Sequence, residues 1–441
     1  MVTPSRAEGV TGSRSITGAP HPTRGRLVLS MLCFVYVLNF LDRQLISILA
    51  KPIQDALHIS DSQLGRITGL YFALFYCFIA IPVGWLADRT SRIKVLSAAC
   101  ALWSAATAAC GMVGSYGQLV VARMLVGIGE AGGVPPSYAI IADSFPREKR
   151  GTAMGIFNLG PPIGSALGVA LGASLAAAFD WRIPFYVIGA VGVIAAVAAY
   201  LLIAESKRGM HDAVPDTLDT EIARDGFVTT IMRFFTNPVL LLASLASGAA
   251  NFITYGISNF ATLFLMREKG MLLGQVAIYY ALVVGIGMGG GIYLSGRLID
   301  RFGTRTKAAH ASIPAFSLLI ALPFFLAFAW APGWKLALFF LFVPTFLNSF
   351  FLPATVTLVQ SEVRPDQRVI SGALLLLVMN LVGLGLGPTY VGMASDLFRP
   401  SHGSHALQTA FYALAPMYLI AAALFFALAR LIARSSQGSQ P

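Results

Sequence analysis

Apolar runs of membrane-spanning length, separated by short polar breaks, follow one another along almost the whole chain. Twelve of them are long enough to cross roughly 30 Å of hydrocarbon at about 1.5 Å per helical residue. They cover 27–50, 63–87, 93–113, 117–142, 151–178, 183–204, 237–266, 274–298, 308–329, 335–359, 368–397 and 407–432. The pattern predicts an all-α membrane protein with twelve transmembrane helices. Polar tails flank it at 1–26 and 434–441, and the one long polar interruption, 205–236, falls between the sixth and seventh runs. It divides the chain into a six-helix unit at 27–204 and another at 237–433. Within the interruption, Ile222, Phe227, Ile231 and Phe234 could form one apolar face of a short interfacial helix, with a flexible tether as the equal alternative.

The two units are related. GWLADRTSRIK, Gly84 to Lys94, returns 212 residues later as GRLIDRFGTRTK, Gly296 to Lys307. DSFPREKRGTA after the fourth run returns in looser form as SEVRPDQRVISGA after the tenth. Duplicated loops at matching places in two halves predict two pseudo-symmetric six-helix bundles, an arrangement built for transport between them.

Composition supports the membrane reading. Hydrophobic residues make up 56% and charged residues 12% of the chain, whereas soluble chains carry roughly 25% charged residues. The net charge of +11 would suggest nucleic acid in a soluble protein. Here Lys and Arg gather on one side of the predicted helices, among them Arg89, Arg92, Lys94, Arg147, Lys149 and Arg150. That bias puts both termini and the 205–236 linker in the cytoplasm, against an anionic leaflet, and makes nucleic acid an unneeded partner. The first run exceeds 20 residues and holds charges, so it reads as a retained span rather than a cleaved leader. Cys33, Cys77, Cys100 and Cys110 fall in apolar runs with no metal-ligand spacing and read as buried small residues. The six histidines fall in tails, loops or span edges and read as solvated.

Two runs contain charges where charges are expensive. Asp42 and Arg43 lie inside the first, Arg123 and Glu130 inside the fourth; each costs about 2.5 to 3.5 kcal/mol at a helix centre. Arg123 and Glu130 are seven residues apart and share a helix face, while Asp42 and Arg43 point about 100° apart and each needs a partner on another helix. Two acids and two bases can pair in more than one way, which allows a proton to be taken up or released as partners change. A fixed ion-pair network holding the two helices together is the plainer alternative.

The seventh run carries Ser244, Ser247, Asn251, Tyr255 and Asn259 at three- and four-residue steps. This stripe is expected to face a central cavity, with helix packing through small polar residues as the alternative. The fifth run places Gly160, Gly164, Gly168 and Gly172 at every fourth position beside Pro161 and Pro162, and NLVGLGLGP from Asn380 to Pro388 has the same character. Both are expected to bend and to rock between the halves, with ordinary close helix packing as the alternative. Neither GxxxxGK[ST] nor HExxH occurs, so no ATP site, catalytic metal or cofactor is expected and the chain does not read as an enzyme.

The hairpin Gly84 to Lys94, RMLVGIG from Arg123 and NLGPPIG in the fifth run resemble signature motifs of the major facilitator superfamily. Within it, NFLDRQ around Asp42 and RMLVGIGEA resemble the Spinster group, whose animal members move sphingosine 1-phosphate and lysophospholipids. They are also similar to the anion:cation symporters of sugar acids and organic anions. The resemblance implies the major facilitator fold, with Asp42 and Glu130 as proton-coupling acids and Arg43 and Arg123 near a substrate head group. Asn251, Tyr255 and Asn259 would complete the substrate site. It further implies a cytoplasmic latch of Asp88, Arg92 and Asp143, with Asp300 and Arg301 as its second copy, although Ser91 stands where the motif usually has Gly. The expected protein is a monomeric, proton-coupled transporter of the bacterial inner membrane working by alternating access on an amphipathic, lysolipid-like substrate. A small organic anion such as a sugar acid is the alternative substrate, and a transport-inactive membrane sensor or scaffold the alternative class.

Overall fold

The computed structural model describes residues 22–203, 205, 227–364 and 367–437. Every element there is helical. The first pass is α1 (Pro22–Ile48), prolonged by α2 (Ala50–Leu57). The second is α3 (Asp61–Thr68) with α4 (Leu70–Arg89), the third α5 (Arg92–Met112), and the fourth α6 (Tyr116–Glu130) with α7 (Val134–Ser144). The fifth joins α8 (Arg147–Phe157) to α9 (Gly160–Ala178), and the sixth is α10 (Ile183–Leu202). A short helix, α11 (Phe227–Thr236), precedes the seventh pass, α12 (Pro238–Arg267). The eighth runs from α13 (Leu273–Gln275) through a π-helical turn into α14 (Ala281–Gly303), and the ninth is α15 (Ala309–Trp330). The tenth joins α16 (Trp334–Leu347) to α17 (Phe351–Glu362) through a 3-10 turn, and the eleventh joins α18 (Arg368–Met379) to α19 (Gly387–His402) through the π-helical stretch Asn380–Leu386. The twelfth is α20 (Ala406–Gln437).

Eleven apolar stretches are long enough to cross a membrane, and the last, Ile370–Arg434, has 65 residues. That is about 98 Å of helix at 1.5 Å per residue, three times the hydrocarbon thickness. It reverses at Gly403, whose φ of 53° suits a residue without Cβ, so it makes two passes and the total is twelve. Passes two, four and five are broken in their interiors, and so are eight, ten and eleven. The duplication seen in the loops therefore extends to the breaks in the helices.

An even number of passes returns the chain to its starting side, here called the terminal side; the other is the far side. Two expectations need correction. The Gly stripe of the fifth pass does not face the other half. An added Cβ at Gly164 would lie 2.4 Å from the Val37 carbonyl oxygen, and at Gly168 2.7 Å from that of Leu41, so the stripe beds α9 against α1 in its own half. A different face of α9 meets α14, where Gly285 lies against Ala166. His310 is buried rather than solvated, with Nδ1 3.1 Å from the Lys307 carbonyl. In the linker, Ile222 lies outside the described residues, but α11 forms and buries Phe234.

Candidate functional site

The intramembrane charges meet where α1, α5, α6 and α12 converge. Arg43 Nε donates to Glu130 Oε2 at 2.6 Å, joining α1 to α6. Three aromatic faces surround the same guanidinium: Tyr76 at 4.8 Å, Phe40 at 4.9 Å and Phe72 at 5.2 Å from its carbon to the ring centres. Such rings shield a cation from lipid while attracting it. Asp42 turns the other way and accepts from the Thr107 hydroxyl at 2.7 Å. The neighbouring positions Asp42 and Arg43 thus find partners on different helices, as their angular separation requires.

Arg123 is 2% exposed and lies over Phe72 at 5.1 Å. Its Nε and one terminal nitrogen have no hydrogen-bond partner, nor do Asp42 Oδ1, Glu130 Oε1 or either amide atom of Asn39. A buried polar group left without a partner costs about 1–3 kcal/mol, more when charged. Asn39, one turn from Asp42 on α1, was not singled out in the sequence because a lone Asn in an apolar run has no distinguishing pattern.

Beside this cluster is a small cavity of about 30 Å³, enough for a few waters, lined by Phe40, Arg43, Gln44 and Ser47 of α1, Thr68, Phe72, Arg123, and Tyr255, Ser258 and Asn259 of α12, and Leu384. Of the residues expected to bind substrate, Arg43, Arg123, Tyr255 and Asn259 reach it. Asn251 does not: its amide donates to the Met379 carbonyl at 3.0 Å and its side chain packs against Gly383. Ser247 bonds Thr355 at 2.9 Å and Ser244 its own helix. The polar stripe is therefore a packing seam at its terminal-side end and a cavity wall at the other. Asp42 and Glu130 lie behind the wall.

The far side is closed by charges that no pattern along the chain groups together. Asp61, at the start of α3, accepts from Arg267 at 2.6 and 2.8 Å, from Arg399 at 2.9 Å, from Ser395 at 2.6 Å and from Gln54 at 2.7 Å. Asp396 accepts from the backbone N–H groups of Asp61 and Ser62 at 3.2 and 2.8 Å, capping α3 from α19. Arg267, Arg399, Ser395 and Asp396 all belong to the later half of the chain. Backbone contact completes the seal: an added Cβ at Gly392 would lie 2.2 Å from the Asp61 carbonyl oxygen, and at Gly65 2.4 Å from that of Pro388. Gly392→Ala is accordingly expected to keep the far side from closing, raising labelling of far-side cysteines by an impermeant maleimide; labelling equal to wild type would show that α3 and α19 can yield. Nearby, Glu268 caps α20 through the N–H groups of Leu407 and Gln408, and burial holds its carboxyl above the ordinary range.

On the terminal side, Arg92 pairs with Asp143, and its backbone N–H donates to Glu205 at 2.8 Å. Both members of the ion pair belong to the first half, so this contact does not itself join the halves. The Asp88 side chain lies outside the described residues. Asp300 and Arg301 are exposed, with Arg301 over Phe302 at 5.7 Å.

Twelve passes, repeated breaks and a polar cavity between the first helices of two halves are the plan of one large transporter family. Residues 32–388 match the profile of the Major Facilitator Superfamily. The chain belongs to that superfamily. It is 30% identical over 406 residues to an MFS-type efflux pump of Mycolicibacterium smegmatis, covering 92% of each chain. It is 27% identical over 413 residues to human protein spinster homolog 1, covering 88% of this chain and 76% of that one. A crystal structure of a bacterial homologue of the human lysosomal transporter Spinster, in an inward-facing and unoccupied conformation, superposes with a TM-score of 0.87 at 29% identity, covering 94% of this chain and 98% of that one. This major facilitator protein is thus a multi-pass membrane transporter of the Spinster type, and its fold and family are those of proteins that carry small molecules.

Proposed function

We propose that the protein is a proton-coupled transporter that moves an anionic amphiphile, of the lysophospholipid or sphingoid-phosphate kind, by alternating access. The observation that carries this reading is Arg123: a buried guanidinium in the wall of an inter-half cavity, with N–H groups unengaged. Arg43 is neutralised by Glu130, so Arg123 is the cation free to receive a carboxylate or phosphate. In this reading a single chain would part the aromatic side chains that now pack together beside the cavity. Phe40 meets Tyr36 at 5.4 Å, Tyr36 stacks on Phe157 at 4.4 Å, and Phe157 meets Tyr138 at 5.3 Å, a run of rings leading from the cavity toward the terminal side.

Asp42 and Glu130 carry the coupling protons in this reading. Each is held by one partner and has one oxygen unengaged. An anion arriving at Arg123 changes the field at both acids and so their hold on a proton. In this reading the sealed far side belongs to an inward-facing state, with the terminal side cytoplasmic, the membrane the bacterial inner membrane, and a single copy of the chain as the working unit. Asp88, Arg92, Asp143, Asp300 and Arg301 would form the cytoplasmic latch when the halves rock to the outward-facing state. A second substrate reading has its own support: a Cupriavidus necator protein named as a sulfoacetate transporter is 34% identical over 167 residues, 38% of this chain. Its substrate class, a small organic anion, would use the same Arg123.

The test is thermal stabilisation of purified protein by oleoyl-lysophosphatidate and by galactonate at two pH values. A ligand at 100 times its Kd adds about 2.7 kcal/mol. Lysophosphatidate is expected to stabilise in a pH-dependent manner, and Arg123→Ala to lose roughly 100-fold in its affinity while binding of a zwitterionic lysophosphatidylcholine falls less. Stabilisation by galactonate alone would transfer the protein to the small-anion reading, and equal losses for both lysolipids would remove Arg123 from head-group binding.

A further inference from the structure

The Ser47 hydroxyl of α1 donates to Asn259 Oδ1 of α12 at 2.6 Å, and the two residues are 212 apart. The same 212 residues separate Gly84 from Gly296, Asp88 from Asp300 and Arg89 from Arg301. Ser47 and Asn259 are therefore equivalent positions of the two halves. Equivalent positions bond each other only where the pseudo-two-fold axis passes between them. Two turns farther on, Gln54 and Arg267, 213 apart, bond at 2.8 Å. The first helices of the two halves thus flank the axis from the cavity to the far-side seal. Ser47 and Asn259 both line the cavity, so one buried hydrogen bond on the axis roofs it.

We propose that Ser47 contacts the substrate head group and that this contact breaks the roof. The inference rests on the cavity being the substrate site with Arg123 as its anion-binding group. A hydroxyl has one proton to donate, so Ser47 can serve Asn259 or a guest but not both. Asn259 is fixed in its orientation, because its Nδ2 donates to the Tyr255 carbonyl at 2.9 Å. An anionic oxygen drawn in by Arg123 is a stronger acceptor than an amide oxygen and takes the proton donation away. The bond on the axis is then lost, and the halves are released above the cavity. A ligand without an anionic acceptor fills the cavity but leaves the roof bonded, which makes Ser47 a specificity-determining residue as well as a coupling one.

The experiment measures the distance between spin labels at exposed far-side positions on opposite halves, Ala56→Cys in α2 and Ser401→Cys in α19, in protein lacking its native cysteines. Wild type is expected to show a short distance that lengthens with oleoyl-lysophosphatidate and not with monooleoylglycerol. Ser47→Ala is expected to raise the ligand-free long-distance population about fivefold, the size of one neutral hydrogen bond, with little further change on adding lysophosphatidate. Ser47→Thr keeps the donor and is expected to behave as wild type, which separates the hydroxyl's role from a folding defect. A Ser47→Ala distribution equal to wild type without ligand, or one that still lengthens by the full wild-type amount with it, would overturn the proposal. Should neither lysophosphatidate nor galactonate raise the wild-type melting temperature, the substrate reading fails by itself. The ligand-free comparison of Ser47→Ala with Ser47→Thr decides the roof independently of that result.

Discussion

Replacing Asp61 with asparagine is expected to open the far side. The Asp61 carboxylate is wholly buried and receives two arginines, a serine and a glutamine. Both arginines and the serine come from the later half, so these bonds exist only while the halves are together on that side. Removing one member of a buried ion pair costs about 3–5 kcal/mol. Arg399 is 48% exposed and its share is screened by solvent. A net loss of about 2 to 3 kcal/mol remains, roughly a hundredfold in the ratio of closed to open molecules. The measurement is the labelling rate of a cysteine placed beside the seal, with an impermeant reagent. Asp61→Glu, which keeps the charge, should restore part of the closure. Labelling of Asp61→Asn at the wild-type rate would mean that the seal is held by the backbone contacts at Gly65 and Gly392 instead.

Asp42→Asn is expected to uncouple transport from the proton gradient and leave a folded protein. The amide oxygen can still accept from the Thr107 hydroxyl, so the link from α1 to α5 survives. What disappears is a titratable group beside Arg123. With one proton per substrate, a gradient of one pH unit supports at most about tenfold accumulation. The variant should lose that accumulation while still exchanging labelled for unlabelled substrate. Accumulation that follows the imposed pH gradient as in wild type would assign coupling to Glu130 or to another group.

The twelve helices were legible because their signal is length and apolarity, which survive without any partner. Breaks within helices were visible at Pro161 and Pro388, where the sequence names the cause, and not at Asn348, where the turn is set by packing. Arg43 and Glu130 were legible as expensive charges, but two acids and two bases can pair in more than one way, and it is the packing of α1 against α6 that selects this pair. Asp61 was not, because at a span edge it reads as an ordinary helix-start acid beside Ser60, and its meaning comes from arginines more than 200 residues away. Asn251 misled for a related reason. A polar stripe states that one helix face is hydrogen-bonded; whether the partner is a cavity or a backbone carbonyl depends on the helix opposite. The Ser47 and Asn259 pair lay within reach of the repeat offset, yet Ser47 has no local pattern that would have drawn the comparison.

The two arginines in the cavity wall and the two acids behind it sum to zero formal charge, and this has an electrical consequence. An empty carrier of this kind moves no net intramembrane charge when its halves rock. A monoanion entering with one proton leaves the total unchanged, so that cycle is electroneutral and indifferent to membrane voltage. A zwitterion entering with one proton carries a full positive charge, and a potential of 100 mV then contributes about 2.3 kcal/mol per cycle. Under the proposed proton coupling, the head group of the cargo would determine whether the cell drives this protein with its pH difference alone or with its voltage as well.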